Sequence, residues 1–185
     1  FYDATQGTVL ADGVDVRDYT FDALYDRLGY VTQKAVLFSG TVQDNIFFGQ
    51  SEAVDTDETL QQALQLSQAA EFVDRYPEKA AHPIAQLGRN VSGGQKQRLS
   101  IARALARRPE ILIFDDSFSA LDYKTDATLR EGLAKQLPGT TKIIVAQRIS
   151  TIRHADQILV LDRGEIAGLG THDALMASCP VYREI

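Results

Sequence analysis

Two adjacent acids, Asp115 and Asp116, follow directly on the apolar run Ile111-Leu112-Ile113-Phe114. A short apolar run of this kind suits a buried strand, and open α/β sheets hold their ligands just beyond the carboxyl ends of such strands. A carboxylate at that point suits the hydrated Mg2+ of a nucleotide, because Mg2+ takes one or two carboxylates and keeps its waters. Two solvated acids at the turn after a strand would look the same in sequence, so the pair alone leaves both readings open.

A second chemical element lies upstream, at Asn90-Val91-Ser92-Gly93-Gly94-Gln95-Lys96-Gln97-Arg98. Ser92 followed three residues later by Gln95 fits a capping box, which is enough to start a helix. It does not account for Gly93 and Gly94 in the first turn, each about 1 kcal/mol worse than alanine in a helix. Glycines there let a phosphate approach bare amides and the positive end of the helix dipole. A phosphate contact and a simple helix start are the two readings of this stretch.

Elements able to position these residues can be read along the chain. Gly7 to Gly13 reads as a short strand ending in an Asp-Gly turn, Phe21 to Arg27 as a short helix and Leu28 to Thr32 as a strand. Val54 to Val73 has apolar residues at helical spacing, and the whole stretch from Thr41 to about Arg108 reads as helical. Strands follow at Ile111 to Phe114, Lys142 to Ala146 and Gln157 to Leu161, with a helix at Lys124 to Gln136. Strands apolar on both faces and separated by helices predict a mostly parallel sheet covered on both sides, with a helical lobe inserted into it.

The 185 residues are 44% hydrophobic and 24% charged, which suits a single globular domain with a real core. A net charge of −6 and a pI near 5.0 argue against bare nucleic acid or an anionic membrane surface as partner. One cysteine, Cys179, excludes an internal disulfide and a cysteine zinc site, and points to a reducing cytosol. No stretch approaches the about 18 consecutive apolar residues of a membrane span, so the chain is expected to be soluble.

VSGGQKQRLSIARAL followed by PEILIFDDSFSALD resembles the signature motif and Walker B strand of ATP-binding cassette (ABC) transporter nucleotide-binding domains. Tyr30-Val31-Thr32-Gln33 is similar to the Q-loop of that family, Leu37 to Gly49 to the segment that follows it in exporters with fused transmembrane segments, Ser119 to Asp122 to the D-loop, and Val145 to Asp156 to the switch loop and its helix. The resemblance implies a P-loop NTPase (RecA-like) α/β fold, with residues 1–40 and 109–185 as its core and 41–108 as the helical signature subdomain. It also implies that Asp115 holds Mg2+ through water and that Gln33 contacts the metal and the attacking water. Ser92, Gly93 and Gly94, with Gln95 beside them, would bind the γ-phosphate of ATP seated on a second cassette, and Asp122 would face that partner. Hydrolysis would then be in-line attack by water at a site shared between head-to-tail cassettes, with positioning and electrostatics as the source of catalysis. The other implied partner is the transmembrane domain of the same polypeptide, at the cytoplasmic face of the cell membrane.

Three departures from the family pattern carry their own expectations. No G-x-x-x-x-G-K-[ST] occurs, so the chain reads as a fragment that starts after its P-loop and is inactive alone. Asp116 stands where the family's glutamate is usual, which sets the carboxylate back by roughly 1.5 Å. A displacement of about 1 Å can cost on the order of 10²-fold in rate. Gln147 stands in place of the switch histidine and cannot carry a proton near neutral pH. Asp116, Gln147 and Gln33 thus form a weakened catalytic set beside an intact signature, as in one subunit of a heterodimeric exporter. A catalytically inert regulatory nucleotide-binding module is the alternative. Non-transport relatives in chromosome maintenance and DNA repair gain no support from the charge.

Overall fold

In the computed structural model the described residues are 3–49 and 56–185. Near the N-terminus, β1 (Leu10–Ala11) and β2 (Val14–Asp15) pair antiparallel about Asp12 and Gly13, both with positive φ. That is the mirror-image turn which Asp-Gly favours, because it matches the right-handed twist of the strands. The strand expected over Gly7 to Gly13 is therefore only two residues long and belongs to a hairpin. Thr20 accepts the Ala23 N–H and starts α1 (Phe21–Tyr25), which leads into β3 (Leu28–Val31).

β4 (Gly40–Thr41) runs into α2 (Val42–Ile46), where Thr41 and Asp44 form a reciprocal capping box. The helical run expected from Val54 to Val73 begins among residues outside those described, and its described part is broken in the middle. α3 (Asp57–Leu66) and α4 (Ala70–Val73) are separated at Ser67 and Gln68. Gln68 has φ 61°, and the Ser67 hydroxyl accepts the Ala69 N–H, so a local side-chain bond competes with continuation of the helix. β5 (Pro83–Ile84) then pairs with β4 and joins the two ends of this segment.

α5 (Gly93–Ala106) ends at Arg107, after which Arg108 turns left-handed and Pro109 prevents continuation. β6 (Ile111–Asp115), α6 (Tyr123–Gln136) and β7 (Thr141–Val145) follow. The sheet has the order β3-β6-β7 with both pairings parallel. α7 (Ile149–Ile152), the antiparallel pair β8 (Ile158–Asp162) and β9 (Glu165–Gly170), α8 (His172–Ser178) and α9 (Pro180–Glu184) complete the chain.

The α/β class with a parallel sheet and packed helices is as the sequence predicts, but the strand expected at Gln157 to Leu161 is not part of that sheet. The two-residue turn Arg163-Gly164, both at positive φ, folds it back onto β9 instead. One face of the parallel sheet is dry: Leu112 and Phe114 are fully buried in a core shared with Leu99 and Ile101 of α5 and Leu129 and Leu133 of α6. On the other face Tyr30, Ile143 and Val145 stay about 40–50% exposed. The β1–β2 hairpin and α1 overhang it, leaving an apolar cleft of about 560 Å³ lined by Leu10, Leu24, Tyr30, Ile113 and Ile143. A second core, Ile158, Val160, Leu175, Cys179 and Tyr182, joins β8 to α8 and α9.

Candidate functional site

Because β6 sits between β3 and β7, its carboxyl end is flanked by the chain leaving both neighbours. Tyr30 pairs with Ile113 in the parallel ladder. Strand side chains alternate between faces, so Tyr30, Ile113 and Asp115 share one. The Tyr30 hydroxyl donates to Asp115 Oδ2 at 2.9 Å, and this bond, followed by desolvation, raises the Tyr30 pKa above the usual phenol value. No described residue hydrogen-bonds Asp115 Oδ1.

Asp116 leaves the strand in the left-handed conformation, φ 45° and ψ 27°. That conformation costs a non-glycine residue roughly 1–2 kcal/mol, with Asp among its better-tolerated occupants. Its N–H donates to the Val145 carbonyl, which holds the turn against the end of β7. Its side chain then meets both neighbouring loops: Oδ2 accepts from Gln33 Nε2 at 2.9 Å and from Gln147 Nε2 at 2.9 Å. A carboxylate only accepts, so both glutamines must present nitrogen. Further bonds brace the cluster, with Ser119 Oγ donating to the Asp116 carbonyl and Arg148 Nη2 to the Ser119 carbonyl. A 100 Å³ pocket adjoins Asp116, Gln147 and Arg148, whereas the larger apolar cleft is lined by neither aspartate.

Ser92 and Gln95 make the reciprocal cap expected of them, Ser92 Oγ accepting the Gln95 N–H at 3.2 Å and Gln95 Oε1 accepting the Ser92 N–H at 2.9 Å. A Cβ built on Gly93 would meet nothing within 4 Å, so packing within the chain does not require glycine there. At Gly94 a Cβ would come 3.4 Å from the Ala120 carbonyl. Asp122 caps α6, accepting from Thr125 N and Oγ1, and these bonds lower its pKa, the hydroxyl bond first. The fold thus gathers Gln33, Asp115, Asp116 and Gln147 at one end of the sheet, while no hydrogen bond ties Ser92, Gly93, Gly94, Gln95 or Asp122 to them. The sequence reading did not single out Tyr30 by itself or Gln97. Gln97 is buried in α5 and donates to the Thr32 carbonyl at 3.2 Å, tying that helix to the loop that carries Gln33. Its only sequence signal is a polar residue on the apolar side of a helix.

Asp115, with one oxygen held and the other open, fits a metal that brings its own waters. Among the described residues no three His, Cys, Asp or Glu side chains are grouped so as to hold a metal ion.

The sequence pattern of the family described as ABC transporter matches residues 1–119. The chain belongs to the ABC transporter family. Within it, the chain is 47% identical, over 99% of its own length, to an uncharacterised ABC transporter ATP-binding protein of Mycobacterium tuberculosis. It is 42% identical over its full length to the candidate multidrug export ATP-binding/permease protein YgaD of Bacillus subtilis. It spans 31% and 32% of those two proteins. Among solved structures, a bacterial Atm1-family ABC exporter with ATP bound superposes with a TM-score of 0.91 at 37% identity, covering 99% of this chain and 32% of that one. No described helix of this ABC transporter domain is long and apolar enough to cross a membrane.

Proposed function

We propose that this domain is the ATP-binding cassette of an exporter, which binds ATP with Mg2+ and couples its hydrolysis to transport, and that its own carboxylate site hydrolyses poorly. The observation that carries this reading is the double engagement of Asp116 Oδ2 by Gln33 and Gln147. A general base must present its carboxylate to water. Here the shorter acid is held by two amides, neither of which can relay a proton near neutral pH.

In this reading Asp115 holds the metal, whose charge offsets that developing on the phosphates. Gln33, through the amide atoms that its bond to Asp116 leaves over, contacts the metal and the attacking water, and Gln147 can hydrogen-bond the γ-phosphate but cannot relay a proton. Ser92, Gly93 and Gly94, with Gln95 completing the turn, serve ATP on a second cassette, and Asp122 faces that cassette. The open surface over Gly93 supports this, since a Cβ there would meet nothing within 4 Å in the chain. The same reading makes the partner cassette different from this one, places a transmembrane domain in the same polypeptide and sets the assembly at the cytoplasmic face of the membrane. Its division is residues 1–40 and 109–185 as core with 41–108 inserted, which the β4–β5 pairing supports.

Photolabelling the full-length transporter with an azido-ATP tests it. Mg2+-dependent label on this cassette that Asp115→Asn abolishes is the expected result, and label indifferent to Mg2+ and to Asp115 overturns the assignment. The clamp on Asp116 also suits an inert regulatory module, and measured turnover by the assembled complex would exclude that alternative.

A further inference from the structure

Tyr30 is the one side chain that hydrogen-bonds the Asp115 carboxylate among the described residues, and nothing in the established family membership gives it a role. We infer that Tyr30 is a positioning residue for the metal site: its hydroxyl fixes the Asp115 carboxylate so that Oδ1 faces the cation. The inference rests on Asp115 being the metal-holding acid, as proposed above.

The geometry comes from the sheet itself. Parallel pairing sets Tyr30 opposite Ile113, and Asp115 follows on the same face, so the Tyr30 hydroxyl reaches Asp115 Oδ2 at 2.9 Å. The β6 backbone is anchored on both sides, by Val31 pairing with Phe114 and Val145 pairing with Asp115, so neither partner of the bond sits on a free loop. Without the hydroxyl the carboxylate would be free to rotate, and either oxygen could face the metal or turn away. With it, Oδ2 is occupied and Oδ1 has no competing donor. Metal-ligating carboxylates are commonly oriented by such outer hydrogen bonds, and losing one typically lowers metal affinity about 10- to 100-fold. Phenylalanine at this position would keep the ring and remove the hydroxyl.

The test uses the full-length transporter with Mn2+ as probe. Electron paramagnetic resonance gives the half-saturating Mn2+ for the protein-bound site in the presence of ATP, and a fluorescent ATP analogue gives nucleotide affinity at saturating Mn2+. Tyr30→Phe should raise half-saturating Mn2+ about 10- to 100-fold and leave nucleotide affinity at saturating Mn2+ unchanged. Asp115→Asn should raise it at least as much. If Asp115→Asn is raised but Tyr30→Phe stays within about twofold of wild type, the positioning role is wrong and the metal assignment stands. If Asp115→Asn is also indifferent, the metal assignment itself falls and this inference with it. A Tyr30→Phe protein that loses nucleotide affinity even at saturating Mn2+ would show a structural role and overturn the inference.

Discussion

Gln147 Nε2 lies 2.9 Å from Asp116 Oδ2, the same oxygen that Gln33 reaches from the other side. One acid therefore joins the loop after β3 to the loop after β7, and it does so with residue types that suit a tie better than a proton relay. A glutamate at position 116 would carry its carboxylate further from the backbone, and a histidine at 147 could exchange a proton near neutral pH.

Asp116→Glu combined with Gln147→His should accordingly raise hydrolysis at this cassette's own site. The gain expected is up to about 10²-fold, the usual cost of a catalytic group misplaced by about 1 Å. Site-resolved nucleotide trapping in the full-length complex measures it, and an unchanged rate with the partner's signature intact would show that the clamp is not what limits turnover.

The signature and the clamp should respond differently to mutation. Gly93→Leu fills the open space over the start of α5, and steady-state ATPase of the complex should fall by about 10²- to 10³-fold, the cost of losing a well-placed transition-state donor. Asp116→Asn should leave most of the turnover in place. Equal losses from the two would make Asp116 a working base and end the asymmetric reading.

Ser92 can be tested as a cap and as a phosphate ligand separately. Ser92→Ala removes the acceptor for the Gln95 N–H, so amides in the first turn of α5 should exchange roughly fivefold faster, which corresponds to a loss of about 1 kcal/mol. Ser92→Asp keeps a good cap but places a negative charge where the γ-phosphate would sit. ATPase of the complex should then fall while exchange stays near wild type. Unimpaired ATPase in Ser92→Asp would reduce Ser92 to a structural cap.

Glycine substitutions should separate a backbone close approach from a tolerant one. A Cβ at Gly29 in β3 would lie 2.7 Å from Leu112 Cδ2 and 2.8 Å from Pro109 Cγ, with the Ala104 carbonyl 3.1 Å away. Gly29→Ala should destabilise the domain by about 1–3 kcal/mol. In Gly132→Ala the new methyl meets only the end of Leu66, at 2.9 Å, and alanine favours the helix by about 1 kcal/mol, so the net change should be small. Hydrogen exchange of the β3 and β6 amides reads both, and a Gly132→Ala loss as large as that of Gly29→Ala would contradict the packing described.

What the sequence determined by itself was local. The Asp12-Gly13 turn, the Ser92–Gln95 capping box and the strand over Ile111 to Phe114 each depend on residues within a few positions of one another, where side-chain chemistry and backbone preference act directly. The ordered motifs were legible for the same reason, since each is a short string, and together they led to the ABC family. Tertiary structure decided which loops meet. That Gln33 and Gln147 converge on one oxygen of Asp116, and that Tyr30 reaches Asp115, follows from the order β3-β6-β7 and its parallel register. Strand order and register are set by burying Leu112 and Phe114 against α5 and α6, a cooperative packing of distant segments that no short window contains. The same limit explains β8: an apolar run fits a parallel strand as well as a hairpin strand, and only pairing with β9 decided between them.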